Sequence, residues 1–447
     1  MKCNQLITAA LLSLGLISAA SASSTATIGG TTYTVVYVTG STAFRANVYT
    51  AVNCYGFDST PTYQVASGSV SGSTGVYNAY GTIGGAPYLL SFDFTGSEAG
   101  IAALENLSTG IPNAYNNGLG NNPSAVLPGT PLPQGFVNPN NVTATVSGIV
   151  PDLALADTSQ AVSLSATKPA LTDYGIVGII PFEWVKGKNS TGSSFSSWND
   201  LTNVTQPQLT YELAGAQKAS FFTGNPADTA KVYLFGRNKG SGTRVNTLLD
   251  TYYGVNVGVI QYAVTASTSY SAGALTFGSA TAITGLSSLT KVGNDGFDSG
   301  SGVAKSLTCD TTGSGLVTLG YAGISDATGT AIPGGAVALS LDGIYESDAS
   351  VISGAYSFWG HEHLYGTPSQ STSSPGGFVA NKLTGFIANG VNEGLGANST
   401  AAGALENSFG TGGGRETTGL TTTQSTAIDP TVMLADKPSD SGYPSQQ

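Results

Sequence analysis

Short runs of β-branched and aromatic residues alternate along this chain with segments of helical spacing. Thr34 to Val38 and Val232 to Phe235 read as strands, and Ile176 to Ile180 is a continuous apolar run of the kind buried on both faces of a sheet. Apolar positions at helical spacing follow in Phe44, Val48, Ala51 and Val52, and again in Val245, Leu248, Leu249 and Tyr252. Strand followed by helix, repeated, predicts an α/β fold with parallel or mixed sheets. Two stretches interrupt the pattern, 57–90 and 108–150, both rich in Gly, Ser, Asn and Pro. They read as surface insertions or short hairpins. From Gly394 the chain is rich in Gly, Thr and Ser without a period, and 394–447 reads as a loose, low-complexity segment.

The N-terminus has the layout of a cleavable secretory signal over residues 1–22: Lys2, an apolar core from Leu6 to Ile17, and the small-residue site Ala20-Ser21-Ala22. The apolar core is too short to span a bilayer. Cys3 precedes it and is not placed for lipid attachment. The mature chain is expected to be periplasmic or secreted and soluble, with Cys54 and Cys309 as two buried thiols.

Composition narrows the function classes. Charged residues make up 9% of the chain, against roughly 25% in ordinary globular domains, so Gly, Ser, Thr and Asn build the surface. A mean hydropathy of +0.09 excludes wholesale disorder. Fifteen basic against 26 acidic residues give a net charge of −11, which excludes a general nucleic-acid binder. Two histidines and three cysteines leave little material for a metalloenzyme or a disulfide scaffold. No cofactor is expected.

Three clusters of Ser, Thr and Gly stand where an extended segment meets a helix: Thr39-Gly40-Ser41-Thr42-Ala43-Phe44, Thr95-Gly96-Ser97-Glu98-Ala99-Gly100 and Arg237-Asn238-Lys239-Gly240-Ser241-Gly242-Thr243. A helix start exposes unpaired N–H groups and the positive end of the dipole; glycine admits close approach, and a hydroxyl adds a donor. Together they suit a small oxyanion, although any one cluster taken alone reads better as a plain N-cap. Arg237, four residues before Ser241, adds a bidentate donor. Asp157, just beyond the apolar run Leu153 to Ala156, could accept a hydrogen bond from a protonated phosphate oxygen, whereas fully ionised sulfate would meet an unpaired negative charge.

In order, these segments resemble the phosphate-binding proteins of bacterial ABC phosphate uptake systems, within the type II periplasmic binding protein fold. The resemblance covers most of residues 34–365, and its most specific part is Arg237 followed by Ser241-Gly242-Thr243. Gly96-Ser97 resembles a Gly-Ser segment whose serine binds phosphate, and Asp157 the aspartate that takes the phosphate proton. Gly293-Asn294-Asp295-Gly296, Gly320-Tyr321 and Tyr356 to Trp359 are similar to segments that serve structure. The first motif departs: Ala43 stands where the family has a threonine before Phe44, and Ser41 or Thr42 would have to supply the hydroxyl.

The resemblance implies two α/β lobes joined by hinge strands, with the ligand cleft between them. Lobe one would comprise 23–185 and 319–393, and lobe two 186–318, with crossings near Ile176–Trp184 and Leu316–Gly323. Ser41, Thr42, Phe44, Ser97 and Asp157 would face the cleft from lobe one, and Arg237, Ser241, Gly242 and Thr243 from lobe two. The ligand would be phosphate or a similar oxyanion, the partner an ABC permease in the inner membrane, and the protein a monomer.

An enzyme is not expected. No Gly-x-Ser-x-Gly elbow and no Gly-x4-Gly-Lys-Ser/Thr loop occurs. His361-Glu362-His363, amid Phe358, Trp359, Leu364 and Tyr365, reads as packing, since spacing marks no third metal ligand. The competing reading is a surface or matrix protein that kept the binding fold without transport, which the Gly/Ser/Thr/Asn-rich insertions and Ala43 would fit.

Overall fold

The computed structural model describes residues 24–53, 57–109, 136–146, 149–164, 169–188, 193–264, 268–271, 274–278, 282–309, 316–368, 370–388, 427–428, 433–437 and 445–446. Residues 1–22, where a signal is expected, and Cys54 lie outside the described residues.

The expected α/β alternation folds into a mixed α/β structure around one large sheet. From one edge its strands run Leu289–Lys291, Tyr262–Val264, Val232–Phe235, Val317–Gly323, Thr172–Lys186, Trp359–Gly366, Leu153–Ala156, Thr31–Gly40, Ala86–Asp93, Val76–Ile83 and Thr62–Gln64. Thr172–Lys186 is the member shared by two halves of this sheet. Its first part pairs antiparallel with Trp359–Gly366, and its last residues pair with Val317–Gly323 and with Val337–Leu341. Fifteen residues suffice for this, because a strand advances about 3.3 Å per residue. The apolar run Ile176 to Ile180 forms its middle; Val177, Ile179 and Ile180 are buried.

Each half holds parallel strands that feed helices. In one, Thr31–Gly40 lies between Ala86–Asp93 and Leu153–Ala156, parallel to both. In the other, Val232–Phe235 lies parallel to Val317–Gly323 and Tyr262–Val264. The helices Arg45–Ala51, Ser97–Thr109 and Gly242–Asp250 start just past the ends of Thr31–Gly40, Ala86–Asp93 and Val232–Phe235. Ligands of open α/β sheets collect at those strand ends.

The strand Val317–Gly323, where the return crossing is expected, pairs with Val232–Phe235 and with the shared strand Thr172–Lys186, and Val337–Leu341 pairs with that shared strand too. Trp359–Gly366 then lies within the first half. Two other expectations need correction. The 57–90 stretch contains the hairpin Val76–Ile83/Ala86–Asp93, turning at Gly84-Gly85, and its second strand is interior to the sheet, with Leu89, Leu90 and Phe92 buried. Parts of the presumed loose C-terminal segment are docked: Ile428 exchanges both backbone hydrogen bonds with Ile179, at 2.8 and 2.9 Å, and Ala427 and Ile428 are buried.

Cys309 is buried, its thiol donating to Lys305 O at 3.3 Å. His361 Nε2 lies 3.0 Å from Asp436 Oδ1 and His363 Nδ1 3.4 Å from Asp173 Oδ2, within a row of rings from Trp359 to Tyr365. Among the described residues no group of three His, Cys, Asp or Glu side chains is placed to hold a metal, and no helix is long and apolar enough to cross a membrane.

Candidate functional site

The first cluster begins at Gly40, whose φ of +113° suits glycine and where a Cβ would stand 1.9 Å from Leu155 O. Ser41 follows, its N–H donating to Leu155 O at 2.8 Å. Its hydroxyl is buried without a hydrogen-bond partner. Thr42 beside it is half-buried. Phe44 is fully buried in the main core and its ring packs over Gly178, so its side chain serves packing and does not face a cleft.

The second cluster closes directly on the third. Gly96, at φ +118°, is so near the opposite half that a Cβ would stand 2.5 Å from Gly240 O, and Ala99 N–H donates to that carbonyl at 3.4 Å. Ser97 Oγ accepts from Asp157 N–H at 3.2 Å. Glu98, the next residue, is fully buried but tied down by Thr158 Oγ1 at 2.8 Å and Leu164 N–H at 2.9 Å. Burial pushes its carboxyl up to about 7.

Asp157 is 1% exposed, and its Oδ1 has no hydrogen-bond partner. Burial raises its carboxyl to about 6, opposed by Ser97 and by the Arg237 guanidinium, which favour the charged form. A Cβ on Gly242 would stand 1.5 Å from Asp157 Oδ1 and 2.8 Å from Ser97 Cβ. Asn246 Nδ2 donates to Asp157 O at 2.7 Å. Glycines at 96 and 242 are thus what lets the two halves meet.

Arg237 is 3% exposed, with Nε donating to Phe297 O at 3.2 Å, Nη2 to Asp298 O at 3.0 Å and Nη1 to Thr243 Oγ1 at 3.5 Å. These bonds orient the fork. Burial works against its charge, while Asp326, Asp157 and Asp298 support it. Ser241 caps Gly242–Asp250, its Oγ accepting from Arg244 N–H at 3.3 Å. The residue expected at the site is thus also the N-cap of this helix.

The structure therefore gathers Ser97, Asp157, Arg237, Ser241, Gly242 and Thr243 at one junction, with Ser41 beside it. No hydrogen bond among the described residues ties the Thr42 hydroxyl to this group. Two residues that sequence reading did not single out, Arg244 and Asn246, belong here, as does Glu362, which reads as packing in the sequence. Arg244 donates to Arg237 O at 3.3 Å and to Asn294 O and Oδ1 at 2.9 and 2.7 Å, which fixes the turn. Asn246 bridges the halves. Glu362 is fully buried next to Asp157 and Ser41; strand alternation in Trp359–Gly366, which separates it from its flanking histidines, was the available signal.

Chemically, the junction offers a guanidinium, hydroxyls and a helix start as donors, and one carboxylate as acceptor. That set can strip water from a small oxyanion and hold it, with one place for a proton on the ligand.

No protein-family model matches the chain, and no curated protein matches it in sequence. Among solved structures it is similar to a candidate phosphate ABC transporter substrate-binding protein with bound phosphate from Clostridium perfringens, at 12% identity and TM-score 0.37, over 78% of this chain and 92% of that one. It is similar also to an ABC-type phosphate transport receptor from Vibrio cholerae (11%, TM-score 0.36, 78% and 93%) and to PstS from Borrelia burgdorferi (13%, TM-score 0.32, 78% and 96%). Likeness this distant carries no argument about the ligand.

Proposed function

We propose that the chain is an exported solute-binding protein that captures phosphate, or a similar tetrahedral oxyanion, between the two halves of its sheet for ABC-type uptake. One observation carries the reading: a buried, oriented guanidinium at Arg237 lies near enough for its charge to act on a buried carboxylate at Asp157, which comes from the other half of the sheet. An arginine fork and a proton acceptor together recognise a tetrahedral anion that still bears a proton. Ser97, Ser241, Gly242 and Thr243 complete the shell, Ser41 stands by, and Thr42 and the Phe44 backbone supply the remaining contacts that the family resemblance implies. Lobes 23–185 with 319–393, and 186–318, are the expected units, with the return near Leu316–Gly323. Ligand held by both halves favours their closure, which a permease could read. The role is binding without bond cleavage, the protein is taken as a periplasmic or secreted monomer, and no cofactor takes part.

Isothermal titration with phosphate and sulfate tests this. Phosphate binding in the micromolar range or tighter, lost in Arg237→Ala, supports capture. The second reading, a surface or matrix protein that kept the fold, is favoured by Ala43 in the first turn; binding of no oxyanion at all would select it.

A further inference from the structure

Glu362 is the buried ionisable group beside the site that the reading above leaves unused. Alternation along Trp359–Gly366 turns it to the face opposite His361 and His363. That strand runs antiparallel to Leu153–Ala156, with Leu364 opposite Leu155 and His363 opposite Ala156. Glu362 and Asp157 are the next residues beyond the last pair of that ladder, close enough for their carboxyl charges to interact. On its other side Glu362 faces Gly178, which offers no side chain and is covered by the Phe44 ring. Glu362 is wholly buried, and neither of its carboxyl oxygens has a hydrogen-bond partner. The same holds for Asp157 Oδ1 and Ser41 Oγ. Ser41 Oγ and the Glu362 carboxyl are thus near one another without a well-formed hydrogen bond, and Asp157 Oδ1 is the third group at the junction that lacks one.

The charged surroundings are uneven. Asp157 opposes ionisation of Glu362, and Ser41 is the neighbour that favours it. Helix Gly242–Asp250 presents Gly242 and the uncharged Asn246 at this place, with Asn246 engaged on Asp157 O. The Arg237 guanidinium supports the charge of Asp157. His361 and His363 turn away toward Asp436 and Asp173. Two carboxylates so placed resist ionising together, and burial pushes Glu362 well above the usual range. Asp157, helped by Arg237 and Ser97, is the member that keeps the charge.

We propose that Glu362 is a further ligand-contacting residue of the oxyanion site, its carboxyl O–H donating to an oxygen of a bound tetrahedral anion whose own O–H donates to ionised Asp157. This rests on the reading under Proposed function and extends it to the ligand's protonation state. The ligand class is a tetrahedral oxyanion bearing at least one proton. Only hydrogen bonds form, so no co-reactant enters.

Titration of the full chain with inorganic phosphate at pH 7 tests it in wild type, Glu362→Gln and Glu362→Ala. Glutamine imitates a neutral carboxyl, so Glu362→Gln should bind within about twofold of wild type, and Glu362→Ala, which loses the donor, about tenfold more weakly. A Glu362→Gln protein that binds about tenfold more tightly would mean that an ionised carboxylate had been removed, which overturns the proposal. Unchanged binding in Glu362→Ala overturns it as well. Carboxyl-carbon NMR of the unliganded wild type gives a readout that survives a poorly folding variant. The Glu362 resonance should hold the neutral position at pH 7 and move when phosphate is added; a carboxylate position, or no movement at saturation, refutes the assignment. If wild type binds no oxyanion, the proposed function itself fails, and that result is distinct from wild-type binding with the wrong variant pattern.

Discussion

Gly242→Ala probes how the two halves of the sheet meet. On local grounds the change should help, because alanine is favoured over glycine within a helix by about 1 kcal/mol. The structure argues the opposite for the assembled site. The new Cβ would stand 1.5 Å from Asp157 Oδ1, 2.7 Å from Asp157 Cγ and 2.8 Å from Ser97 Cβ. Carbon contacts are comfortable at about 3.5–4.0 Å, so the helix start must retreat by roughly 2 Å. Overpacking of this kind costs about 1–3 kcal/mol, which converts to a loss of affinity of roughly 5- to 150-fold. Gly242 heads a helix that follows Val232–Phe235, whereas Asp157 and Ser97 follow Leu153–Ala156 and Ala86–Asp93. The cost therefore falls on the approach of the halves, and each half should keep its own packing.

A neighbouring position supplies the control. At Gly240 a Cβ would meet Asn238 Oδ1 at 3.5 Å and Ala99 Cβ at 3.6 Å, which is ordinary contact. Isothermal titration with phosphate and thermal melts on wild type, Gly240→Ala and Gly242→Ala should show affinity lost only in Gly242→Ala, with all three melting within a few degrees. Wild-type affinity in Gly242→Ala, or an equal loss in Gly240→Ala, would refute the closed geometry.

Other outcomes can be stated more briefly. Asp157→Asn should reduce the preference for phosphate over sulfate by about tenfold in competition titrations, since a neutral amide no longer repels an unprotonated anion; an unchanged ratio would show that Asp157 does not read the proton. Burial raises Asp152, Asp157 and Asp250 to about 6 and Glu98 to about 7, above their ordinary values of 3.8 and 4.5. Their contribution to stability is fully present below those ordinary values and is lost as pH rises through 6 to 7, so thermal melts should be higher at pH 5 than at pH 8; the reverse slope would contradict it. Lys437 Nζ contacts Asp250 at 2.8 and 3.0 Å and Trp359 O at 2.6 Å, all buried. Lys437→Met, which strands the Asp250 carboxylate, should cost about 3–5 kcal/mol in urea unfolding, most of it recovered by adding Asp250→Asn.

Sequence pattern disclosed those parts of the fold whose signal is local. The strand read at Val232 to Phe235 has those bounds, and Thr34 to Val38 lies inside Thr31–Gly40. Helical spacing in Phe44 to Val52 and from Val245 onward marks Arg45–Ala51 and Gly242–Asp250. What escaped depends on distant partners. Ala86–Asp93 is a sheet-interior strand because Thr31–Gly40 lies alongside it, while its Gly- and Tyr-rich surroundings resemble a surface hairpin. Ile428 owes its burial to backbone bonds with Ile179, and no local period announces that. Phe44 carries two signals at once, a turn residue by motif and an apolar helix position by spacing, and packing over Gly178 decides for the core. His361-Glu362-His363 looks like one unit in sequence, yet a strand divides it between two faces, leaving the histidines with aspartates and Glu362 beside Asp157.

Helix Gly242–Asp250 is held at both ends, and this joins the C-terminal segment to the site. At its start Gly242 presses on Asp157 and Ser97, and Asn246 one turn later donates to Asp157 O. At its end Asp250 meets Lys437, whose ammonium also bonds Trp359 O and sits 4.8 Å from the Trp359 ring centroid. Trp359 begins the strand that carries Glu362. Both anchors therefore tie the helix to the same neighbouring pair of strands, Leu153–Ala156 and Trp359–Gly366. Packed interfaces of this kind move as discrete units and do not stretch. If the halves open at Asp157 as the proposed binding role requires, the motion must either pivot about the Lys437 anchor or break it. Breaking the anchor would expose an ion pair, so the proposed role predicts a pivot at the C-terminal segment.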